Sequence, residues 1–314
     1  TLTSRKDVDL TRTFKFYNSG KEWTGVPIMA SNMDGVGTFA MAKVLQEKKM
    51  ITVLRKHYTL DDWKNAIGNG VKMKYLSVCT GTGVIWDPNA KDYATMKAVL
   101  EMYPDIPFIC VDVANGYFEN YGDFIEKLRD EYQDKTIIAG NVITAEMTEE
   151  LILRGADIVK CGIGPGSACT TRLKTGVGMP QLSCIMDCGD AAHGVGKYII
   201  GDGGITCPGD LSKAFCGGAD FVMMGGVFAG HDENPGEIIE KVVRGDGTNS
   251  PNQLQKFKMF YGMSSTHAMM KFYGEKNEYR ASEGKVVEIP YKGPMKDTIE
   301  DYLGGLRSTC TYIG

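Results

Sequence analysis

Eight short apolar runs, rich in β-branched residues and each followed by a helix-like segment, constrain this chain more than any other feature. They fall at 26–30 (VPIMA), 51–54 (ITVL), 75–79 (YLSVC), 108–112 (FICVD), 136–140 (TIIAG), 157–161 (DIVKC), 198–202 (YIIGD) and 221–225 (FVMMG). Most are apolar throughout rather than alternating, the pattern of parallel strands buried on both faces. The intervening segments carry helix punctuation. Thr144 stands as an N-cap, with Met147, Leu151 and Leu153 among the apolar positions that follow and Gly155 as the stop. Pro208 to Phe215 reads as another short helix, ended by Gly217 and Gly218. Eight β-then-α repeats predict an α/β chain closed into a (β/α)8 TIM barrel. An open doubly wound sheet is the rival. It would carry a Gly-rich fingerprint after its first strand, and Met29-Ala30-Ser31-Asn32-Met33-Asp34 is not one.

With 314 residues and 43% hydrophobic content, one large catalytic barrel over 1–314 can bury a full core. A net charge of −4 argues against nucleic-acid binding but leaves room for a phosphorylated small molecule, which a few backbone N–H groups can hold. Nine cysteines, an odd number with several inside apolar runs, argue for a reducing, cytoplasmic setting rather than a disulfide framework. Cys184 and Cys188 read as one helix face, not a zinc site, and Cys110 and Cys161 as small core residues. The polar start and the lack of a long apolar run predict neither signal peptide nor membrane span. Beyond the last strand, 244–256 reads as surface loop, and 262–293 as a mobile flap at the catalytic face.

The most informative run, Gly162 to Arg172, follows candidate strand six, where barrel chemistry sits. Its glycines permit tight turns, and Cys169 falls on an exposed loop near turn amides and Arg172, which favour a thiolate. Gly201-Asp202-Gly203-Gly204 and Gly225-Gly226 follow the next two strands, where this fold commonly binds phosphate. Asp202 suits ribose hydroxyls better than phosphate. Asp112 to Gly116, with Asn32 and Asp34, adds polar groups to the same rim. None of the four histidines (His57, His193, His231, His267) has a ligand-like spacing to another.

Gly164-Pro165-Gly166-Ser167-Ala168-Cys169-Thr170-Thr171-Arg172 resembles the catalytic loop of the IMP dehydrogenase and GMP reductase family. Gly201 to Gly204, Phe221 to Gly226 and Tyr261 to Ser265 match that family in order. Tyr279 to Lys285 and Gly304 to Tyr312 are similar to its GMP reductase branch. There is no room for the paired regulatory CBS modules usual in the other branch. Family members also begin about two dozen residues earlier and run beyond Gly314.

The resemblance implies reductive deamination of GMP to IMP and ammonia with NADPH, through a thioimidate on Cys169, assisted by Thr171 and Glu283. It implies GMP contacts from Ser167, Asp202, Gly203, Gly204, Gly225 and Gly226, and from Gly262, Met263, Ser264, Arg280, Ala281, Ser282 and Gly284. The cofactor would meet Lys56, Asp112, Val113, Ala114, Ile163, Gly164 and Tyr279. Ser4, Arg5, Ser308, Thr309, Cys310 and Thr311 would reach it from a neighbouring subunit of a homotetramer. Arg5 and Lys56 suit the 2′-phosphate that separates NADPH from NADH. Gly164, Gly166 and Cys169, with Arg172, resemble the family's potassium site. The rival functions are an IMP dehydrogenase without regulatory modules and a catalytically silent purine-nucleotide-binding barrel.

Overall fold

The computed structural model describes residues 4–243, 253–263, 265–273 and 282–313. An antiparallel hairpin, β1 (Arg12–Phe16) and β2 (Lys21–Gly25), leads into the barrel. The eight parallel strands are β3 (Ile28–Ala30), β4 (Ile51–Val53), β5 (Leu76–Thr80), β6 (Phe108–Asp112), β7 (Thr136–Val142), β8 (Ile158–Cys161), β9 (Tyr198–Asp202) and β10 (Phe221–Met224). They pair in chain order, and β10 returns to β3, so the sheet closes. All eight lie within a residue or two of the sequence expectation.

Between strands run α1 (Phe39–Leu45), α2 (Leu60–Gly68), α3 (Lys91–Met102), α4 (Tyr121–Glu131), α5 (Ala145–Leu153), α6 (Thr171–Thr175), α7 (Gln181–Gly194) and α8 (Pro208–Cys216). Thr144 caps α5 by accepting the Met147 N–H at 3.3 Å, as its position predicts. Leu153 departs from expectation. It ends α5 on the solvent side at 74% exposure, because only Leu151 and Ile152 of that turn face the barrel. Cys184 and Cys188 do share a buried face of α7, sulfur to sulfur 3.9 Å.

Two apolar layers hold this together. The outer one lies between strands and helices. The inner one fills the barrel, with Met29, Ile51, Val53, Ile138, Ile158 and Met223 pointing inward. Hairpin residues Phe14, Phe16 and Trp23 complete it from below. Phe14 lies 4.3 Å from Phe221 between ring centroids, and Phe16 and Trp23 each stand 6.0 Å from Phe108. Phe108 and Phe221 open their strands, so the aromatic plug seals the N-terminal end. The opposite end is left for chemistry.

After β10 the chain forms an antiparallel sheet of β11 (Ile239–Val243), β12 (Gln253–Tyr261) and β13 (Val286–Pro290), with α9 (Thr266–Tyr273) between the last two. This corrects the reading of 244–256 as surface loop: 253–256 belong to β12 and pair with β11. Their side chains are exposed and, apart from Leu254, polar, which hid the strand. Residues 244–252 lie outside the described ones. Buried Lys258 fastens the sheet to the barrel by donating to the carbonyls of His231 and Asn234, both at 2.8 Å. Asp34, only 1% exposed, fastens α9: it accepts from Lys271 at 2.7 Å, from Arg55 at 2.7 Å and from the Tyr261 hydroxyl. Helix α10 (Met295–Ile313) then packs on α8, burying Met295, Ile299, Tyr302 and Leu303. Among the described residues no helix is long and apolar enough to cross a membrane.

Burial raises the Asp34 carboxyl, but Lys271, Tyr261 and Arg55 outweigh it and hold the group below the ordinary carboxylate range. A depressed acid stabilises the fold above its unfolded pKa and loses that contribution as pH falls through its folded one. Asp34→Asn is therefore expected to lower thermal stability at neutral pH, with the gap to the unsubstituted chain narrowing in acid. A gap independent of pH contradicts the anchor. Trp23→Ala is expected to cost about 3–5 kcal/mol in urea unfolding, because it opens the plug. A cost under about 1 kcal/mol would show that the hairpin is not part of the barrel core.

Candidate active site

The open end holds a cleft of about 450 Å³, within the range of small-molecule sites. The loop after β8 crosses it. This loop turns on itself through the Cys169 N–H, which donates to the Gly166 carbonyl at 3.0 Å. Cys169 is half-buried here, while Cys110 and Cys161 are sealed in the barrel wall. Its thiol donates to Thr171 Oγ1 at 3.2 Å, and that hydroxyl donates to Glu283 Oε2 at 2.7 Å. Backbone bonds hold the distant Glu283 in place. Thr170 N–H donates to the Glu283 carbonyl at 2.8 Å, and Lys285 N–H to that of Ala168 at 3.0 Å. Gly262 N–H then donates to Lys285 at 3.1 Å, so the end of β12, the loop and segment 282–285 form one small ladder. A proton can travel from sulfur to hydroxyl to carboxylate along this line.

One wall of the cleft is built from glycine. Gly203 adopts φ +87°, and a side chain on it would press against Pro165 at 3.2 Å. A Cβ on Gly226 would come within 2.4 Å of Ser167 Oγ. Gly204, Gly225, Gly262, Met263 and Gly284 line the same cleft. Asp202 closes β9 there, accepting from Asn141 Nδ2 at 2.9 Å and from Lys160 Nζ at 3.1 Å, both through Oδ2.

Asp112, Val113, Ala114, Lys56, Ile163 and Gly164 also line the cleft. Asp112 accepts from Lys160 at 2.5 Å and from Asn32 at 3.0 Å. Burial alone would raise its carboxyl, yet Lys160 holds it below the ordinary range. Burial likewise opposes the charge on Lys160, but Asp112 and Asp202 together raise it above the usual lysine value. Lys56 lies 3.7 Å from Asp92, whose carboxylate also accepts the Gly81 N–H.

Several expected residues sit elsewhere. Ser4 and Arg5 belong to a turn packed on α10, the helix that carries Ser308, Thr309, Cys310 and Thr311, and none of these lines the chain's own cleft. Ser282 accepts the Thr266 N–H at 3.1 Å rather than facing the cleft. Ser264, Tyr279, Arg280 and Ala281 lie outside the described residues. Arg172 does not reach the cysteine as its spacing suggested: its guanidinium donates to the carbonyls of Ile163 and Met179. Asp34 is turned toward α9 instead of the rim. Among the described residues, none of the histidines lines the cleft, and no cluster of His, Cys, Asp or Glu could hold a metal ion. Sequence reasoning missed Lys160 and Asn141. A lysine inside the apolar run DIVKC was the available signal, since a buried charge needs partners. Asn141 gave none, because its position depends on a register shift between β7 and β8 at 140–142.

Residues 7–314 match the sequence profile of the IMP dehydrogenase / GMP reductase domain. The chain is 54% identical over 315 residues to GMP reductase 2 of Homo sapiens, a match covering 100% of this chain and 86% of that protein. It is 54% identical over 316 residues to GMP reductase of Vibrio parahaemolyticus, and 53% over 314 residues to GMP reductase 1 of Rattus norvegicus, with the same coverage. A closed parallel barrel, a cysteine on the loop after its sixth strand and a match along nearly the whole length agree: the chain belongs to the IMP dehydrogenase and GMP reductase family.

Proposed function

We propose that this chain acts as one catalytic barrel that converts GMP to IMP and ammonia with NADPH, using Cys169 as nucleophile. The carrying observation is the hydrogen-bonded line Cys169–Thr171–Glu283 at a glycine-walled cleft. The names of the full-length relatives supply the substrate.

Passing the Cys169 proton through Thr171 to Glu283 frees a thiolate to attack C2 of the purine. The exocyclic nitrogen must take up a proton as its bond to C2 breaks, because an unprotonated amide ion is far too basic to leave. Glu283 returns the proton through Thr171, whose own hydroxyl is too weak an acid to act alone. Ammonia departs, and C2 remains bound to sulfur as a thioimidate. NADPH, when bound, supplies the hydride that adds to C2. Cleavage of the carbon–sulfur bond then releases IMP and restores the thiolate.

The glycine wall, with Ser167 and Met263, would hold the nucleotide, Asp202 accepting its ribose hydroxyls. Ser264, Arg280, Ala281 and Gly284 would add contacts to it, with Ser282, which here accepts the Thr266 N–H, supporting that segment. Asp112, Val113, Ala114, Ile163 and Gly164 would hold the cofactor, joined by Tyr279. Lys56, with Arg5 of a neighbouring subunit, supplies positive charge for the 2′-phosphate. Ser4, Ser308, Thr309, Cys310 and Thr311 would act across the same boundary in a homotetramer. Their place on α10 and on the turn packed against it, apart from the cleft, supports that reading. Backbone oxygens of Gly164, Gly166 and Cys169, beside Arg172, suit a potassium ion, which carbonyl groups hold well. The reaction would run in the cytoplasm.

With GMP and NADPH the purified protein is expected to lose NADPH absorbance and release ammonia in equal amounts. Reduction of NAD with IMP instead would transfer the chain to the dehydrogenase branch. Cys169→Ala is expected to abolish turnover while still binding GMP, and undiminished turnover would remove the mechanism. Glu283→Gln is expected to lower kcat by about 100-fold or more while leaving GMP affinity within about threefold. Equal losses in both would contradict its role as acid.

A further inference from the structure

Lys160 is 2% exposed near the C-terminal end of β8, where a cation is retained only if fully paired. Its ammonium reaches three groups, and all three line the cleft: Asp112 at 2.5 Å, Asp202 at 3.1 Å, and the amide oxygen of Asn141. The first carboxylate ends β6 and the second ends β9. The lysine stem is clamped. A Cβ on neighbouring Gly140 would lie 2.4 Å from the Lys160 carbonyl oxygen and 2.7 Å from its Cβ, so the two strands meet there with no side chain between. Packing does not require an ammonium. What the ammonium adds is direction: with Asn141 it engages Asp202 through Oδ2 only, which leaves Oδ1 for a ligand. Asp112, by contrast, is gripped at both oxygens, by Lys160 and by Asn32.

We propose that Lys160 is a positioning residue of this site, pinning Asp202 by one oxygen so that the other accepts the ribose hydroxyls of the bound nucleotide, while fixing Asp112 on the cofactor side. The inference rests on the assignment of GMP as substrate made above. A fixed carboxylate acceptor discriminates strongly for a hydroxyl donor, whereas one that can swing or turn to solvent does not.

The test compares GMP with 2′,3′-dideoxy-GMP, by calorimetric titration of the unsubstituted protein and of Lys160→Met. The unsubstituted protein is expected to prefer GMP by about tenfold or more, the worth of hydrogen bonds to a charged acceptor. In Lys160→Met the preference is expected to shrink to about threefold or less, because residue and hydroxyls form one coupled unit. A purely structural lysine would weaken both ligands equally. A preference left intact in the variant, whatever its overall affinity, overturns the proposal. An unsubstituted protein with no preference overturns the assignment of Asp202 and the role of Lys160 together. Turnover with GMP and NADPH is read separately, so an active enzyme whose Lys160→Met variant keeps the preference loses this inference alone. Should Lys160→Met not fold, the pair Lys160→Met and Asp112→Asn removes one positive and one negative charge and keeps the local balance. The same loss of preference is expected from it, and a retained preference again overturns the proposal.

Discussion

Closing eight parallel strands on themselves pairs every wall segment on both sides, and the rest of this molecule follows from that constraint. The interior takes one layer of side chains after another, and Phe14, Phe16 and Trp23 fill it from the N-terminal end. Polar groups that must meet a ligand are therefore gathered at the C-terminal ends of the strands. Asp112, Asn141, Lys160 and Asp202 lie at or near the ends of four successive strands, β6 to β9, and satisfy one another there. A charged cluster this deep is tolerable because each member has its partner within the cluster.

The barrel alone does not finish the site. Glu283 comes from a segment beyond the last strand and enters only because main-chain bonds knit 282–285 to the loop after β8. Asp34 and Lys258 hold the two ends of that excursion, one under α9 and one under β12. Both are nearly buried, and both satisfy several groups at once, as befits joints that must fix a carboxylate near a thiol. The line Cys169–Thr171–Glu283 thus depends on contacts far from it.

Much of this was legible in the residues. Buried parallel strands betray themselves as unbroken apolar runs, so all eight were found, and turns of glycine after β8, β9 and β10 pointed to the cleft that the structure forms. The motif Gly164 to Arg172 singled out Cys169 from nine cysteines, and the line through Thr171 to Glu283 has bonding distances throughout. Elements without an apolar pattern were missed. The hairpin strands are polar on their outer face and bury only every second residue toward their ends, and the start of β12 is exposed on every residue. Side-chain direction was also beyond reach: Arg172 turns to main-chain carbonyls, and Asp34 turns away from the rim. Spacing gives proximity along the chain, but only packing decides which neighbour a flexible side chain meets.

The central claim is that sulfur forms a bond to the purine during each turnover. Acid-quenched mixtures of the protein with GMP and NADPH, digested and weighed, test it most directly. The account predicts a peptide containing Cys169 heavier by GMP less one ammonia, and no such gain on peptides carrying the other cysteines. Turnover with no trapped species on Cys169, or with the mass increase on another residue, would contradict it.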